Sequence, residues 1–148
     1  MTPSGAEAAV RLVLDTSAYS HFRSGHPRVL DFIAAAETVI LSAVVLGELE
    51  AGFRLGRRER ENRTLLAELL AEPFVRVSEV TASVARHYGR LFTDLRRAGT
   101  PIPINDVWIA ATALDCGGHL LTFDEHFHQV TSVDLTVLPV PGRSQLQR

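Results

Sequence analysis

The segment that most clearly indicates the fold reads VRLVLDTS and spans residues 10–17. Apart from Arg11, residues 10–14 are apolar, which is typical of a strand buried on both faces of a parallel sheet. The pattern stops at Asp15, which is followed by polar side chains able to cap a helix. We therefore predict a buried strand that ends at an acid, on the sheet edge where α/β proteins bind their ligands.

Outside this segment, stretches typical of strands alternate with stretches typical of helices. Strands are predicted at residues 38–41, 74–77, 119–122 and 135–138, and helices at residues 27–36, 43–55, 59–71 and 81–97, with one more beginning at Asn105 or Asp106. Short loops between such elements predict an α/β sandwich with a mostly parallel sheet. At 148 residues, without a repeat or a linker, the chain is predicted to form a single domain over residues 1–148, ordered over about residues 10–138 and loose at both ends.

Composition excludes several kinds of chemistry. All 15 basic residues are arginines, so a lysine-dependent phosphate loop and Schiff-base chemistry are excluded. The single cysteine excludes an intramolecular disulfide and a cysteine zinc site. The net charge of −2 is not that of a protein coated in nucleic acid, so such a partner would contact a local patch. Residues 54–63 contain five arginines that could form one, although an exposed helix with paired charges is the commoner explanation.

No apolar run approaches the roughly 20 residues that span a bilayer. The first residues also lack the basic-then-apolar order of a signal peptide. We therefore expect a soluble, cytoplasmic protein without a membrane partner.

Four acids lie beside apolar segments that must form the core, and we refer to them as the four acids: Asp15, Glu48, Asp106 and Asp124. Taken singly, Asp15, Asp106 and Asp124 could each cap a helix or occupy its favourable N-terminus. Glu48 is harder to explain, because its helix is apolar nearly all round and its carboxylate must reach solvent or face a polar pocket.

Glu48 has a neighbouring competitor, Glu50. On a helix the two side chains lie about 200° apart, so only one of them can face the pocket. Gly52 follows Glu48 by one turn and would allow another group to approach closely, which favours Glu48.

If the fold brings the four acids together, their mutual repulsion requires a counter-ion. Two carboxylates about 4 Å apart repel by roughly 4 kcal/mol at an effective dielectric of about 20. Mg²⁺ and Mn²⁺ prefer oxygen ligands, and such ions serve in-line phosphodiester hydrolysis. The sequence therefore predicts a divalent-metal site.

Four segments carry a family resemblance. They are Leu14-Asp15-Thr16-Ser17, Glu48-Leu49-Glu50-Ala51-Gly52, Asn105-Asp106-Val107-Trp108-Ile109-Ala110-Ala111, and Leu121-Thr122-Phe123-Asp124 with Phe127. Their order and spacing resemble the PIN-domain ribonucleases, most closely the VapC-type toxins of bacterial toxin–antitoxin pairs, over roughly residues 10–138.

The resemblance implies a three-layer α/β/α sandwich and a metal-dependent endoribonuclease that uses Mg²⁺ or Mn²⁺. By matching position, Asp15, Glu48 and Asp106 would be the principal metal-binding acids and Asp124 the fourth, which in the family often acts through water. The residues that would orient these acids are Thr16 or Ser17, Asn105 and Thr122. The implied partners are an RNA substrate, a cognate antitoxin and a second copy of the chain.

Two alternatives stay open. The fold could be retained as a catalytically silent protein-binding module, or Asp15 could form an aspartyl phosphate. Against the second stand the missing acid two residues on, where Ser17 lies, and the absence of lysine. His126 and His128 could add a transition-metal ligand, although a solvated pair is the commoner arrangement.

Overall fold

Residues 10–142 of the computed structural model are described here; the remaining residues, which include most of the predicted loose ends, lie outside this range. The described part contains five strands and six α-helices. The strands are β1 (Arg11–Leu14), β2 (Thr38–Ser42), β3 (Val75–Ser78), β4 (His119–Thr122) and β5 (Asp134–Val137). The helices are α1 (Thr16–Arg23), α2 (Pro27–Ala35), α3 (Ala43–Leu55), α4 (Glu59–Leu70), α5 (Ala82–Arg97) and α6 (Ile104–Cys116), and a 3₁₀ helix spans Glu125–Gln129.

The five strands form one parallel sheet in the order β3-β2-β1-β4-β5. From β1 the chain moves outward through β2 to β3, then crosses back to β4 and β5 on the other side. Because parallel crossovers are right-handed, α1 to α4 cover one face of the sheet and α5 with α6 cover the other. The predicted three-layer α/β/α sandwich is confirmed, and β1 and β4 flank the point at which the strand order reverses.

The core is centred on β1 and β4. Leu12, Val13 and Leu14 are at most 1% exposed, and Leu120 and Leu121 are fully buried. A strand buried on both faces has no amphipathic alternation, which is why residues 10–14 read as a continuous apolar run. This rigid centre fixes the carboxyl ends of β1 and β4 side by side.

Two glycines form the turn that connects α6 to β4. Gly117 ends α6 in the left-handed region, with φ of 64°, which glycine adopts without a steric penalty. At Gly118, a Cβ atom would lie 2.8 Å from Val13 Cγ2 and 3.1 Å from the carbonyl oxygen of Arg11. Only glycine therefore allows the start of β4 to approach β1 this closely.

Several local expectations need correction. Strand β3 is Val75–Ser78, one residue later than predicted. Helix α6 begins at Ile104, directly after Pro103, one or two residues before the predicted start. Strand β5 is Asp134–Val137, one residue earlier than predicted. Gly52 is exposed and a Cβ there would meet nothing within 4 Å, so the expected close approach is wrong within the described residues.

Over residues 10–142, no helix combines the length and the apolar character needed to cross a membrane.

Candidate active site

Asp15 lies at the end of β1 and is 4% exposed. Its Oδ1 accepts hydrogen bonds from the Ala18 backbone N–H at 2.8 Å and the Ser17 hydroxyl at 2.7 Å, and its Oδ2 accepts one from the Thr122 hydroxyl at 2.5 Å. Burial raises the pKa of Asp15, while the hydrogen bonds from Thr122, Ala18 and Ser17 act in the opposite direction. The carboxylate therefore caps α1 and is also held in a fixed orientation.

Two hydroxyls tie the end of β1 to the end of β4. Besides their bonds to Asp15, Ser17 Oγ accepts from the Phe123 backbone N–H at 2.9 Å, and Thr122 Oγ1 accepts from the Asp124 backbone N–H at 2.9 Å. The positions of Asp15 and Asp124 are thereby coupled across the strand-order reversal.

Glu48 projects from α3 towards the same place. Its Oε1 accepts from the Thr16 hydroxyl at 2.5 Å and its Oε2 from the Asn105 amide at 3.3 Å. Glu50 instead forms an ion pair with Arg63 on α4, at 2.6 Å. The helical phase thus points the two glutamates in different directions. Arg63 is paired with carboxylates at the surface, so it is not part of a free basic patch.

Asp106 and Asp124 complete the group. Asp106 lies in the first turn of α6, and Asp124 follows β4 and caps the 3₁₀ helix through a 2.9 Å bond from the His126 backbone N–H. Burial, followed by the negative charges of Asp124, Asp15 and Glu48, raises the pKa of Asp106 to about 6. The four acids therefore lie close enough to repel one another.

His126 lies beside the four acids, although the sequence favoured a solvated histidine at this position. Its Nδ1 lies 2.9 Å from Asp124 Oδ1. One ligand atom each from Asp106, Asp124 and His126 lie within 4.8 Å of one another. The signal in the sequence is the Asp-x-His spacing on a turn after a strand, but nothing in the sequence places that turn beside α6.

An aromatic cluster borders the site. The ring of His21 stacks on Phe123, with centroids 3.8 Å apart, and His26 meets the same ring edge-on at 5.1 Å. Phe123 is 5% exposed, and its neighbours in sequence are Thr122 and Asp124. The cluster therefore anchors the segment that carries Asp124.

Comparison with known proteins places this geometry in a family. A family model for the PIN domain matches residues 12–133. The chain belongs to the PIN-domain family. Among curated relatives, this PIN domain is 32% identical over 115 residues to Ribonuclease VapC5 of Mycobacterium tuberculosis, covering 78% of this chain and 84% of the relative.

Solved structures agree with the family assignment. The PIN domain superposes on VapBC2 from Rickettsia felis, solved with a promoter DNA fragment, with a TM-score of 0.76 at 25% identity, covering 86% of this chain and 98% of that one. It also superposes on VapBC-5 of M. tuberculosis, a member of the VapBC family of toxin–antitoxin systems, with a TM-score of 0.68 at 27% identity over 88% and 99% of the two chains. The predicted resemblance to VapC-type PIN domains is confirmed.

The side chains of this PIN domain fit a divalent cation. The four acids supply oxygen donors, and after burial the negative charges of Asp124, Asp15 and Glu48 contribute to the raised pKa of Asp106. Of the described residues, Asp106, Asp124 and His126 have ligand atoms within 4.8 Å of one another, a spacing at which they can share one ion. Two carboxylates, Asp15 and Glu48, are already oriented by hydroxyl and amide donors, as metal-binding carboxylates usually are.

Proposed function

We propose that this PIN domain is a metal-dependent endoribonuclease that hydrolyses RNA phosphodiester bonds, and that it is the toxin of a toxin–antitoxin pair. The observation that carries the proposal is the convergence of the four acids at the carboxyl ends of β1 and β4. The name of the relative VapC5, a ribonuclease, and the toxin–antitoxin complex of VapBC-5 support it.

The proposed metal-binding acids are Asp15, Glu48 and Asp106, with Asp124 as the fourth. When bound to these residues, Mg²⁺ or Mn²⁺ would supply Lewis acidity that lowers the pKa of a water molecule and would balance negative charge at the phosphate. The protein's own contribution is orientation: Ser17 and Thr122 fix Asp15, while Thr16 and Asn105 fix Glu48. Side chains held in this way lose little entropy when the ion and the scissile phosphate bind.

The geometry disfavours an aspartyl-phosphate mechanism. Both carboxylate oxygens of Asp15 accept hydrogen bonds, and the side chain is 4% exposed. An oxygen that attacks phosphorus must be accessible and must give up such bonds. Asp15 is therefore better suited to hold an ion than to become phosphorylated.

The experiment that tests the proposal is RNA cleavage by purified protein free of antitoxin. Wild-type protein is incubated with RNA and Mg²⁺ or Mn²⁺, beside Asp15→Asn and Asp106→Asn. We expect either substitution to reduce the rate by at least about 100-fold, because changing only the partners of metal ligands already costs 10–100-fold. The expected products carry a 5′-phosphate and a 3′-hydroxyl.

Glu50→Gln is the matched control, since Glu50 lies on the same helix as Glu48 but pairs with Arg63. It should cleave RNA at the wild-type rate. Cleavage that persists in EDTA, or in both Asp→Asn variants, would contradict the proposal. Absence of cleavage by folded wild-type protein would favour the protein-binding alternative.

The proposed partners are an antitoxin and a second copy of the chain. A groove between α1 and α4 is lined by apolar side chains and by three charged ones, a mixed surface that suits an amphipathic antitoxin segment. The apolar residues are Phe22, Leu65, Leu69 and Phe74, and the charged ones are Arg23, Glu68 and Glu72. Exposed apolar side chains such as Leu55, which is 90% exposed, could serve a homodimer. Light scattering on the purified chain tests the dimer, and a monomeric mass at micromolar concentration would count against it.

A further inference from the structure

His126 stands out because a nitrogen donor lies within a group of carboxylates. One of its ring nitrogens belongs to the same cluster of ligand atoms as Asp106 and Asp124, all within 4.8 Å of one another. Asp106 comes from the first turn of α6, whereas His126 lies on the 3₁₀ helix after β4. The fold therefore brings an imidazole to an acid 20 positions earlier in the chain.

The spacing of the donor atoms suits a shared ion. Two neighbouring ligands, each about 2.1 Å from an octahedral ion, lie about 3.0 Å apart. His126 Nδ1 and Asp124 Oδ1 are 2.9 Å apart. An ordinary hydrogen bond has a similar length, so distance permits both arrangements and a spectroscopic test must separate them.

Backbone hydrogen bonds hold the turn that carries His126 in place. The His126 N–H donates to Asp124 Oδ1, and the Asp124 N–H donates to Thr122 Oγ1, both at 2.9 Å. The Asp-x-His turn is thus fixed to the end of β4. With its side chain 61% exposed, His126 can still rotate onto an ion without disturbing the core.

We propose that His126 Nδ1 is a metal ligand together with Asp106 and Asp124, and that this mixed nitrogen and oxygen set selects Mn²⁺ over Mg²⁺. Imidazole is a good ligand for transition metals, whereas Mg²⁺ prefers oxygen ligands and retains its waters. This inference rests on the proposed metal-dependent function, and it adds a ligand that the four acids do not include.

His128 provides the matched control. It lies on the same 3₁₀ helix, two residues after His126, and is also exposed. It is not a member of the group of ligand atoms formed by the described residues. Any effect of simply removing a histidine from this loop will therefore be the same in His126→Ala and His128→Ala.

The experiment measures metal binding directly, on tag-free full chain stripped of metal. Mn²⁺ affinity is measured by electron paramagnetic resonance and Mg²⁺ affinity by calorimetry. We expect His126→Ala to weaken Mn²⁺ binding by about 10–100-fold and Mg²⁺ binding by less than about 3-fold. His128→Ala should leave both affinities unchanged.

Electron spin-echo modulation of the Mn²⁺-loaded protein gives the decisive signature. The ¹⁴N coupling of a directly bound imidazole should be present in wild type and His128→Ala and absent in His126→Ala. Wild-type protein without this coupling overturns the inference, whether or not the variants fold. If Asp106→Asn abolishes Mn²⁺ binding while His126→Ala does not, only this inference fails; if wild type binds no Mn²⁺, the proposed function fails with it.

Discussion

Asp15 serves the fold and the site with the same two oxygens. One oxygen caps α1 through the Ala18 N–H, and the other accepts a hydrogen bond from Thr122. Desolvation makes the charged form costly, and these donors offset part of that cost. A helix cap alone would not need a donor from β4, so the Thr122 hydrogen bond is the part of the environment that capping does not explain.

Replacing Thr122 with valine tests the role of its hydrogen bond to Asp15. Thr122→Val keeps the size and burial but removes the donor to Asp15 Oδ2, which should raise the pKa of Asp15 further. We expect Mn²⁺ affinity, measured by calorimetry, to fall by about 10–100-fold. Thr112→Val is the control, because Thr112 is equally buried and its hydroxyl donates within its own helix to the Trp108 carbonyl. Equal losses in both variants would contradict the expectation.

Asp106 should make the metal-free protein less stable as pH rises. Its pKa is raised from a usual value of 3.8 to about 6, so the folded state binds a proton more tightly than the unfolded chain. The stabilisation of the folded state by this proton is complete below pH 3.8 and is lost as the pH rises through about 6. The unfolding free energy falls by at most about 3 kcal/mol over this range, since one pKa unit corresponds to about 1.4 kcal/mol.

Urea unfolding in EDTA at pH 5 and pH 7.5 measures this effect. The difference in unfolding free energy between the two pH values should be smaller in Asp106→Asn than in wild type, because asparagine does not titrate. A Glu50→Gln variant, which leaves the four acids intact, should keep the wild-type difference. Identical pH dependence in wild type and Asp106→Asn would show that Asp106 titrates normally.

Single residues differed in how far the sequence could predict them. Glu48 was separable from Glu50 because helical phase is a local property, and the structure places Glu48 against Thr16 and Asn105. The argument from Gly52 was wrong, since space around a glycine depends on what packs there. His126 was set aside because its nearness to Asp106 is a tertiary contact that no local pattern records.

At the scale of elements, the turn between α6 and β4 controls how closely the two sides of the site approach. Gly118→Ala places a Cβ atom 2.8 Å from Val13 Cγ2 and 3.1 Å from a backbone oxygen, and the backbone cannot move without displacing β1. We expect a loss of about 1–3 kcal/mol in unfolding free energy, as for other overpacked core positions.

Gly89→Ala is the comparison for that substitution. Gly89 lies inside α5, and a Cβ atom there meets nothing within 4 Å. Alanine should therefore stabilise the protein by about 0.5–1 kcal/mol through helix propensity. Thermal and urea unfolding measure both variants, and a Gly118→Ala protein as stable as wild type would show that β1 and β4 tolerate a wider separation.

The elements themselves were largely predictable, whereas their arrangement was not. Buried strands such as β1 and capped helices such as α3 have local signals, including the Ser42 side chain that accepts the Val45 N–H at 3.1 Å. The strand order β3-β2-β1-β4-β5 has no such signal, because it depends on which apolar faces pack together after the chain collapses. The family resemblance supplied the fold that periodicity alone left open.

At the scale of the whole molecule, the four acids lie after β1, in α3, in α6 and after β4, and they meet only in the folded state. The repulsion between them is therefore a property of the native structure and is absent from the unfolded chain. A cation that binds them stabilises the folded state by mass action.

Thermal unfolding with increasing Mn²⁺ tests this consequence. At 100 times the dissociation constant, one bound ion should add about 2.7 kcal/mol to the unfolding free energy, and the Tm should rise by roughly 5–15 °C. Asp106→Asn should start with a higher Tm in EDTA and respond less to Mn²⁺. A wild-type Tm insensitive to Mn²⁺ would argue against an ion at this site.

The strand order also has a consequence for protein synthesis. β1 lies at the centre of the sheet but acquires its neighbour β4 only after the chain has been made as far as residues 119–122. Asp124 follows immediately. Asp15 and Glu48 are therefore synthesised long before the residues that lie beside them in the folded chain. The four acids can come together only after β4 has been synthesised and has paired with β1.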